Sequence, residues 1–175
     1  MLNRLPEIIE PLHLADKRGE LKGQIAVSSL PRIADLLFDD SGVVTVELFF
    51  GREGHLPKIE GHIQTVMQLK CQSCLQAIEW PVDNVVKLGI VKSVEQANRL
   101  AEDYEPLLVV EETMLLKDLI EDELLLNLPD YPKHQHSCFV PPSDTNKTDT
   151  PAQDSTSVRE NPFSILATLK KTGDL

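Results

Sequence analysis

The chain has 175 residues, which suits one ordinary domain and a tail. Its apolar fraction of 41% allows a packed core, and because aromatic residues make up only 5%, Leu, Ile and Val must form most of that core. A net charge of −11 argues against a broad electrostatic contact with nucleic acid or anionic membranes, and it favours a basic protein partner.

The location of the protein can be inferred from the same totals. The first residues show no basic start followed by a continuous apolar run, so no secretory signal is predicted. No apolar stretch approaches the length of a membrane span. The three cysteines are an odd number, which fits a reducing compartment better than a disulfide framework. We therefore expect a soluble cytoplasmic protein.

The first forty residues predict short strands and one short helix. Pro11 interrupts the β-like segment EIIEPLHL, which predicts an edge strand or two short pieces. The next segment, ELKGQIAV, alternates apolar and polar residues as a half-buried strand does. A serine cap and Pro31 favour a short helix over LPRIADLLF, ending before Gly42.

The middle of the chain predicts long strands. VVTVELFF is rich in β-branched and aromatic residues, and GREG then predicts a hairpin connection. KIEGHIQTVMQLKC alternates over its whole length, with Ile59, Ile63 and Met67 on one side. LQAIEWPVDNVVKLGIV resumes the β pattern after Cys71 and Cys74, so these thiols are expected at or near the bend of a second hairpin.

Helices are predicted after Val91. SVEQANRLAEDY carries a capping box, with Ser93 followed by Gln96, which predicts a helix. YEPLLVVEE has a short apolar run that is compatible with one more strand. TMLLKDLIEDELLLNLP has apolar residues at three- and four-residue steps, which predicts a helix that Pro129 ends.

Much of the negative charge is local. Nine acidic residues and one lysine lie between Glu102 and Glu123. The side chains of Glu121, Asp122 and Glu123 could suggest a carboxylate metal site, but a solvated or partner-facing helix edge is the more frequent arrangement, and we expect it here.

The end of the chain divides into two parts. Residues 141–160 are polar and almost free of large apolar groups, which predicts a disordered linker after a folded domain at 1–140. Residues 161–175 predict a short amphipathic helix or docking motif, in which Asn161 is the N-cap and Pro162 takes the first helical position. Its apolar face is expected to carry Phe163, Leu166 and Leu169.

Four Cys and His side chains could bind a zinc ion. Cys71 and Cys74 form a C-x2-C pair, and HQHSC offers His134, His136 and Cys138 further along the chain. A tetrahedral zinc site takes two such close pairs, and the three-residue gap from His134 to Cys138 favours His134 over His136. The alternative is that the cysteines are small buried apolar residues and the histidines belong to a solvated loop.

Thiol chemistry is the other use of a C-x2-C pair. A redox pair usually places its first cysteine at a helix N-terminus, whereas the flanks here are β on both sides. A disulfide closing so short a loop would add about 2 kcal/mol of stability, against about 10 kcal/mol or more for a structural zinc. The chain also has no Gly-rich phosphate loop, no G-x-S-x-G and no H-E-x-x-H motif.

Several segments together resemble the YceD family. LKCQSCLQ, YEPLLV, LIEDELLLNLPDYPKH followed by Cys138, and the terminal NPFSILATLK occur in the order found in that family. The family is associated with accumulation of the RNA of the large ribosomal subunit in bacteria, with plastid relatives. The resemblance implies a non-enzymatic cytoplasmic factor that helps 23S ribosomal RNA, or the large subunit containing it, to be made or retained. It also implies that Cys71, Cys74, His134 and Cys138 are the zinc ligands.

The expected fold is therefore α+β, with a mostly antiparallel sheet that could be barrel-like, two or three helices, a disordered linker and a terminal helix. The expected partner is a ribosomal protein, an assembly factor or the precursor of the large subunit, bound by the acidic region and the tail helix. Direct RNA contact stays open through local cations such as Lys87 and Lys92. The alternative function is a thiol redox or metal-dependent enzyme that uses Cys71 and Cys74.

Overall fold

The structure is a computed structural model that describes residues 5–139. Within this range the elements follow one another in the order β1 (Ile8–Ile9), α1 (Pro11–Lys17), β2 (Glu20–Ala26), β3 (Leu37–Asp39), β4 (Val43–Glu53), β5 (Leu56–Lys70), β6 (Ala77–Val91), α2 (Val94–Ala97), β7 (Glu105–Leu108), β8 (Met114–Leu115) and α3 (Leu116–Asn127).

The main sheet has six strands and is open. Its order is β2-β4-β5-β6-β7, and β3 pairs with the second half of β5. All pairs are antiparallel except β6 with β7, which are parallel and are joined through α2. Within residues 5–139 the edge strands β2 and β7 are not paired with each other. The α+β fold is thus confirmed, whereas the barrel-like form is not adopted.

One face of the sheet is covered by the helices. On β5 the alternating residues predicted to share a side are buried there, including Ile59, Ile63 and Met67. The apolar residues of α3 join the same core, with Leu119 and Ile120 almost fully buried. The buried alternate residues of the strands and the apolar face of α3 therefore pack together in one core.

Gly61 lies at a point of close approach between β4 and β5. It pairs with Leu48, and a Cβ at this position would meet the carbonyl oxygen of Glu47 and the Cα of Leu48. A side chain would force the two backbones apart, so this glycine allows the long hairpin to stay in register.

Two local predictions in the first forty residues are wrong. A short strand piece does precede Pro11, as β1, but Pro11 then begins α1 where a second strand piece was expected, because its fixed φ suits the first helical turn and its missing N–H needs no partner there. The helix expected after Ser29 is replaced by 3-10 turns at Val27–Ser29 and Ala34–Leu36. Leu37 is already paired with Leu69 in the sheet, so the chain has no length left for an α-helix.

Most predictions for the rest of the domain agree with the structure, and two at α2 do not. Both hairpins form, α3 ends before Pro129, and β7 occupies the short apolar run. The Ser93 hydroxyl accepts the N–H of Gln96 as in a capping box, but the Gln96 side chain accepts the N–H of Lys92 instead of that of Ser93. The helix at α2 is also shorter than the pattern suggested.

No helix within residues 5–139 is long and apolar enough to cross a membrane. The linker expected at 141–160 and the helix expected at 161–175 lie outside the described residues, so both stay predictions.

Candidate metal centre

The bend between β5 and β6 holds the C-x2-C pair in a compact loop. The Cys71 N–H donates to the Gln76 carbonyl at 2.9 Å, and the Leu75 N–H donates to the Cys71 carbonyl at 2.9 Å. Leu75 closes the loop with a φ of 61°. The Ser73 N–H points at the Cys71 sulfur, 3.4 Å away. A thiolate accepts such backbone donors, so the loop is shaped around sulfur.

The chain after α3 returns to this bend. The Gln72 N–H donates to the Pro132 carbonyl at 2.9 Å, and the Trp80 indole N–H donates to the Asn127 carbonyl at 3.4 Å. These contacts fix both the end of α3 and the turn-rich segment beyond it. The segment can therefore bring His134 and Cys138 to cysteines that precede them by more than sixty residues.

The structure brings together the donor atoms of Cys71, Cys74, His134 and Cys138. All four lie within 4.8 Å of one another. The Cys71 and Cys138 sulfurs are 3.6 Å apart, and the Cys74 sulfur is 3.5 Å from the His134 Nδ1. Tetrahedral zinc, with bonds of about 2.3 Å to sulfur and about 2.0 Å to nitrogen, separates its ligand atoms by about 3.5 to 3.8 Å. The cluster therefore fits a zinc ion.

His134 is oriented by its second ring nitrogen. Its Nε2 lies 3.2 Å from the Ala77 carbonyl, an oxygen that can only accept a hydrogen bond. An N–H on Nε2 can donate to this oxygen, and the tautomer that carries it has a lone pair on Nδ1, which faces the sulfurs. Metal-bound histidines are commonly held in this way by a backbone carbonyl.

His136 is not part of the cluster. Its ring centroid lies 4.9 Å from that of His134, at an angle of 41° between the planes. Among the described residues, the side chains whose donor atoms lie close enough together to share a metal ion include His134 but not His136. The spacing argument that favoured His134 points to the same residue.

Hydrogen bonding and burial shift the thiol pKa values in opposite directions. Burial raises the pKa of Cys71, but N–H groups at Cys74, His134 and Ser73 outweigh this effect and lower it to about 5. Burial, together with the neighbouring Cys74 and Cys71, raises the pKa of Cys138 to about 11. Without a cation, repulsion between neighbouring sulfurs disfavours three negative charges in one place. A divalent cation among them would offset that repulsion and let all three thiols ionise.

Sequence reasoning found these side chains but missed the backbone groups that support them. The Ala77 carbonyl and the Ser73 N–H matter because of where the hairpin places them. Since nearly every residue carries such backbone groups, the sequence does not single these two out. Only the strand pairing of Lys70 with Ala77 sets their distance from the cysteines.

The expectation of an exposed acidic edge on α3 is wrong for two of its three residues. The side chain of Glu121 is 0% exposed and that of Glu123 is 6% exposed, because they lie on the face of α3 that packs against the sheet and the 3-10 turns. Asp122 is exposed, and it pairs with Arg32 at 2.6 Å. Neither buried carboxylate can contact a partner in this conformation.

Five of the six remaining acidic residues of the region are exposed, and the sixth, Asp118, is half-buried. Exposed carboxylates surround β7 and the loop that follows it, at Glu102, Asp103, Glu105, Glu111 and Glu112. We call these five residues the acidic surface. The predicted partner-binding residues Asn161, Pro162, Phe163, Leu166 and Leu169 lie outside the described residues.

Comparison with known proteins gives matches that span both the sheet and the candidate metal centre. The model of the family "Large ribosomal RNA subunit accumulation protein YceD" matches residues 59–170, more than half of the chain. A protein of that same name from Haemophilus influenzae is 29% identical over 171 residues, covering 96% of this chain and 97% of its relative. No solved structure matches the chain. The chain therefore belongs to the YceD family.

Proposed function

We propose that this protein is a non-enzymatic cytoplasmic factor that supports the synthesis, processing or accumulation of 23S ribosomal RNA, chiefly through protein contacts. The observation that carries the proposal is the family match over residues 59–170, since the printed name of that family refers to accumulation of large-subunit ribosomal RNA. The expected partners are a ribosomal protein, an assembly factor or the precursor of the large subunit.

The surroundings of the thiols support a role without catalysis. Cys71 is 0% exposed, so a substrate disulfide or an oxidant cannot reach its sulfur without opening the bend. Cys71 also directly follows the last residue of β5, Lys70, and does not begin a helix. A thiol redox or metal-dependent enzyme remains the competing hypothesis, and the lowered pKa of Cys71 is the one observation in its favour.

The proposed role of the cluster is structural zinc binding by Cys71, Cys74, His134 and Cys138. A zinc ion would join the β5–β6 bend to the segment after α3. Protein purified without added zinc should contain one zinc per chain by elemental analysis. The variant His134→Ala should lose the metal, and His136→Ala should keep it. A metal-free wild-type protein whose Cys71 reacts rapidly with alkylating reagents would instead favour the redox hypothesis.

The acidic surface is the proposed contact for a basic protein. Its carboxylates are exposed and lie along an edge strand of the sheet, so a lysine- or arginine-rich segment could approach them without displacing the core. Because the attraction is between exposed charges, it should weaken as salt concentration rises.

Crosslinking in cells, followed by identification of bound proteins and RNA, tests the proposed function. Wild-type protein should recover large-subunit proteins or assembly factors. Replacing Glu102 and Glu105 by Gln should reduce that recovery, whereas the control that replaces Asp35 and Asp40 by Asn removes the same charge elsewhere and should not. Failure of the wild-type protein to recover any ribosomal component would overturn the proposal.

A further inference from the structure

We propose that a cation-lined cavity at the other end of the sheet binds the phosphate backbone of single-stranded RNA. The inference rests on the proposed function for the choice of RNA as the anionic ligand. The cavity holds about 490 Å³ and lies between α1, the β4–β5 turn, the end of β6 and the segment that follows it. It is separate from the candidate metal centre, and it adjoins the acidic surface, because its lining reaches Ala101 beside Glu102.

The charge of the cavity is opposite to that of the whole protein. Its lining includes Arg52, Lys92 and Arg99 together with His55, and it includes no Asp or Glu. A chain with a net charge of −11 repels RNA as a whole, so a local group of cations is the arrangement in which it could still contact phosphates.

Arg52 is held in place at the rim of the cavity. Its Nε donates to Asp16 at 2.5 Å, and its Nη1 donates to the His55 carbonyl at 3.4 Å. These contacts use the Nε–H and one Nη1 N–H, and among the described residues the Nη2 N–H groups have no hydrogen-bond partner. A guanidinium fixed in this way keeps its other N–H groups available for a phosphate, with less entropy to lose on binding.

Lys92 and Arg99 have charges that the protein itself does not neutralise. Both are exposed, and neither forms an ion pair within residues 5–139. Lys87, the other cation singled out from the sequence, lines a different cavity together with Glu102, Asp103 and Glu105. An anion would therefore be attracted to Lys92 and repelled near Lys87.

The shape of the cavity suits a nucleotide unit. Apolar side chains such as Leu56, Pro57 and Leu100 form part of the lining between the cations. Sugar and base surfaces can lie against such groups while the phosphate meets the charges, and the His55 ring or an arginine plane can stack on an unpaired base. The unstacked base is the reason for preferring a single strand to a duplex.

Binding of the full-length protein to a fluorescently labelled single-stranded RNA of mixed sequence tests the inference by anisotropy. The variant that combines Lys92→Gln with Arg99→Gln should bind about tenfold more weakly at about 50 mM salt. Its dependence of log K on log salt should be less steep than that of wild type by about 1.4, since each phosphate contact on a single strand contributes about 0.7.

The matched control combines Lys70→Gln with Lys87→Gln, which removes two charges from exposed positions outside the cavity. It should retain the affinity and the salt dependence of wild type. Equal losses in both double variants, no RNA binding by wild type, or displacement of the RNA by a poly-glutamate peptide would each overturn the inference.

The result can be separated from a failure of the proposed function. If the cavity does not bind RNA but crosslinking still recovers large-subunit components, only this inference is wrong. If crosslinking recovers no ribosomal component, the proposed function fails, whatever the RNA affinity in solution.

Discussion

Glu121 anchors the segment between β2 and β3 to α3. Its Oε1 accepts the backbone N–H of Arg32 at 2.8 Å, and the Arg32 guanidinium pairs with the neighbouring Asp122. The second Glu121 oxygen, Oε2, is buried and has no hydrogen-bond partner among the described residues. One carboxylate oxygen thus accepts a backbone hydrogen bond in a segment whose own 3-10 turns pair few of its backbone groups.

Replacing Glu121 by Ala should lower the free energy of unfolding by about 1 to 3 kcal/mol, because the Arg32 N–H would lose its acceptor inside the protein. Denaturant unfolding measures the change. Glu121→Gln keeps an acceptor and removes the charge, so it should retain most of the stability. The exposed ion pair of Asp122 should matter less, by about 1 kcal/mol or below in Asp122→Ala. Equal losses in all three variants would contradict this account.

Glu123 makes the stability of the domain depend on pH. Burial raises its pKa above the usual value of 4.5, opposed by the hydrogen bond from Asn84, while Glu105 and Asp122 raise it further. Between the unfolded and folded pKa values the folded state holds more protons than the unfolded state. Stability contributed at this site is therefore present below about pH 4.5 and decreases as pH rises through the folded pKa.

The variant Glu123→Gln removes this titration and keeps an oxygen that can accept the Asn84 amide. Its melting temperature should exceed that of wild type at pH 7, and the difference should shrink toward pH 4. Asp40→Asn, at an exposed position that contributes nothing to the pKa of Glu123, is the control and should lack this trend. A melting-temperature difference that is constant with pH would show that Glu123 does not titrate in this range.

At the scale of elements, the β5–β6 hairpin carries the candidate metal centre. Each of the two strands has fifteen residues, and their pairing continues to Lys70 and Ala77 beside the cysteines. This long ladder fixes the bend without metal, whereas the segment after α3 has no strand or helix of its own between residues 128 and 139. A metal ion should therefore stabilise that segment far more than the hairpin.

Removal of zinc with a strong chelator should lower the melting temperature by about 10 °C or more, since the loss is expected to be several kcal/mol. Hydrogen exchange should increase most at residues 129–138 and least in the paired part of β5. His134→Ala should reproduce this pattern without chelator, and His136→Ala should behave like wild type. Protection that falls evenly across the sheet would contradict a local role for the metal.

Sequence reasoning succeeded where a single periodic pattern decides the element. The alternation around Ile63 and Met67 and the three- and four-residue spacing of Leu116 and Leu119 correspond to β5 and α3 as found. It failed around Ile33, where the local signals for a helix were outweighed by tertiary pairing of β3 with β5. It also failed at Glu121, because the helical face that a charged residue occupies depends on a distant N–H partner.

At the scale of the whole molecule, the described residues place two surfaces of opposite charge next to each other. The acidic surface lies around β7, and the cation-lined cavity lies where the β4–β5 turn meets the end of β6. Net charge alone argued against RNA and for a basic protein. The two proposals therefore assign protein contact to the acidic surface and RNA contact to the cavity.

The tail provides a further test at this scale, because its sequence predicts a docking helix joined to the domain by a polar linker. Deleting residues 160–175 should lower the level of 23S ribosomal RNA in cells that depend on this protein. The melting temperature of the purified domain should stay nearly unchanged, since a tethered motif that binds a partner adds little to the core. RNA quantification and calorimetry measure the two effects.

Point substitutions separate the apolar face of this tail from its length. Replacing Phe163 and Leu169 by Ala should reduce 23S ribosomal RNA as the deletion does, because these side chains would supply the contact area with a partner groove. Replacing the polar Ser164 and Thr168 by Ala leaves the apolar positions intact and should have little effect. A large fall in melting temperature with Phe163→Ala would mean that the tail packs on its own domain and that its effect on RNA arises from lost stability.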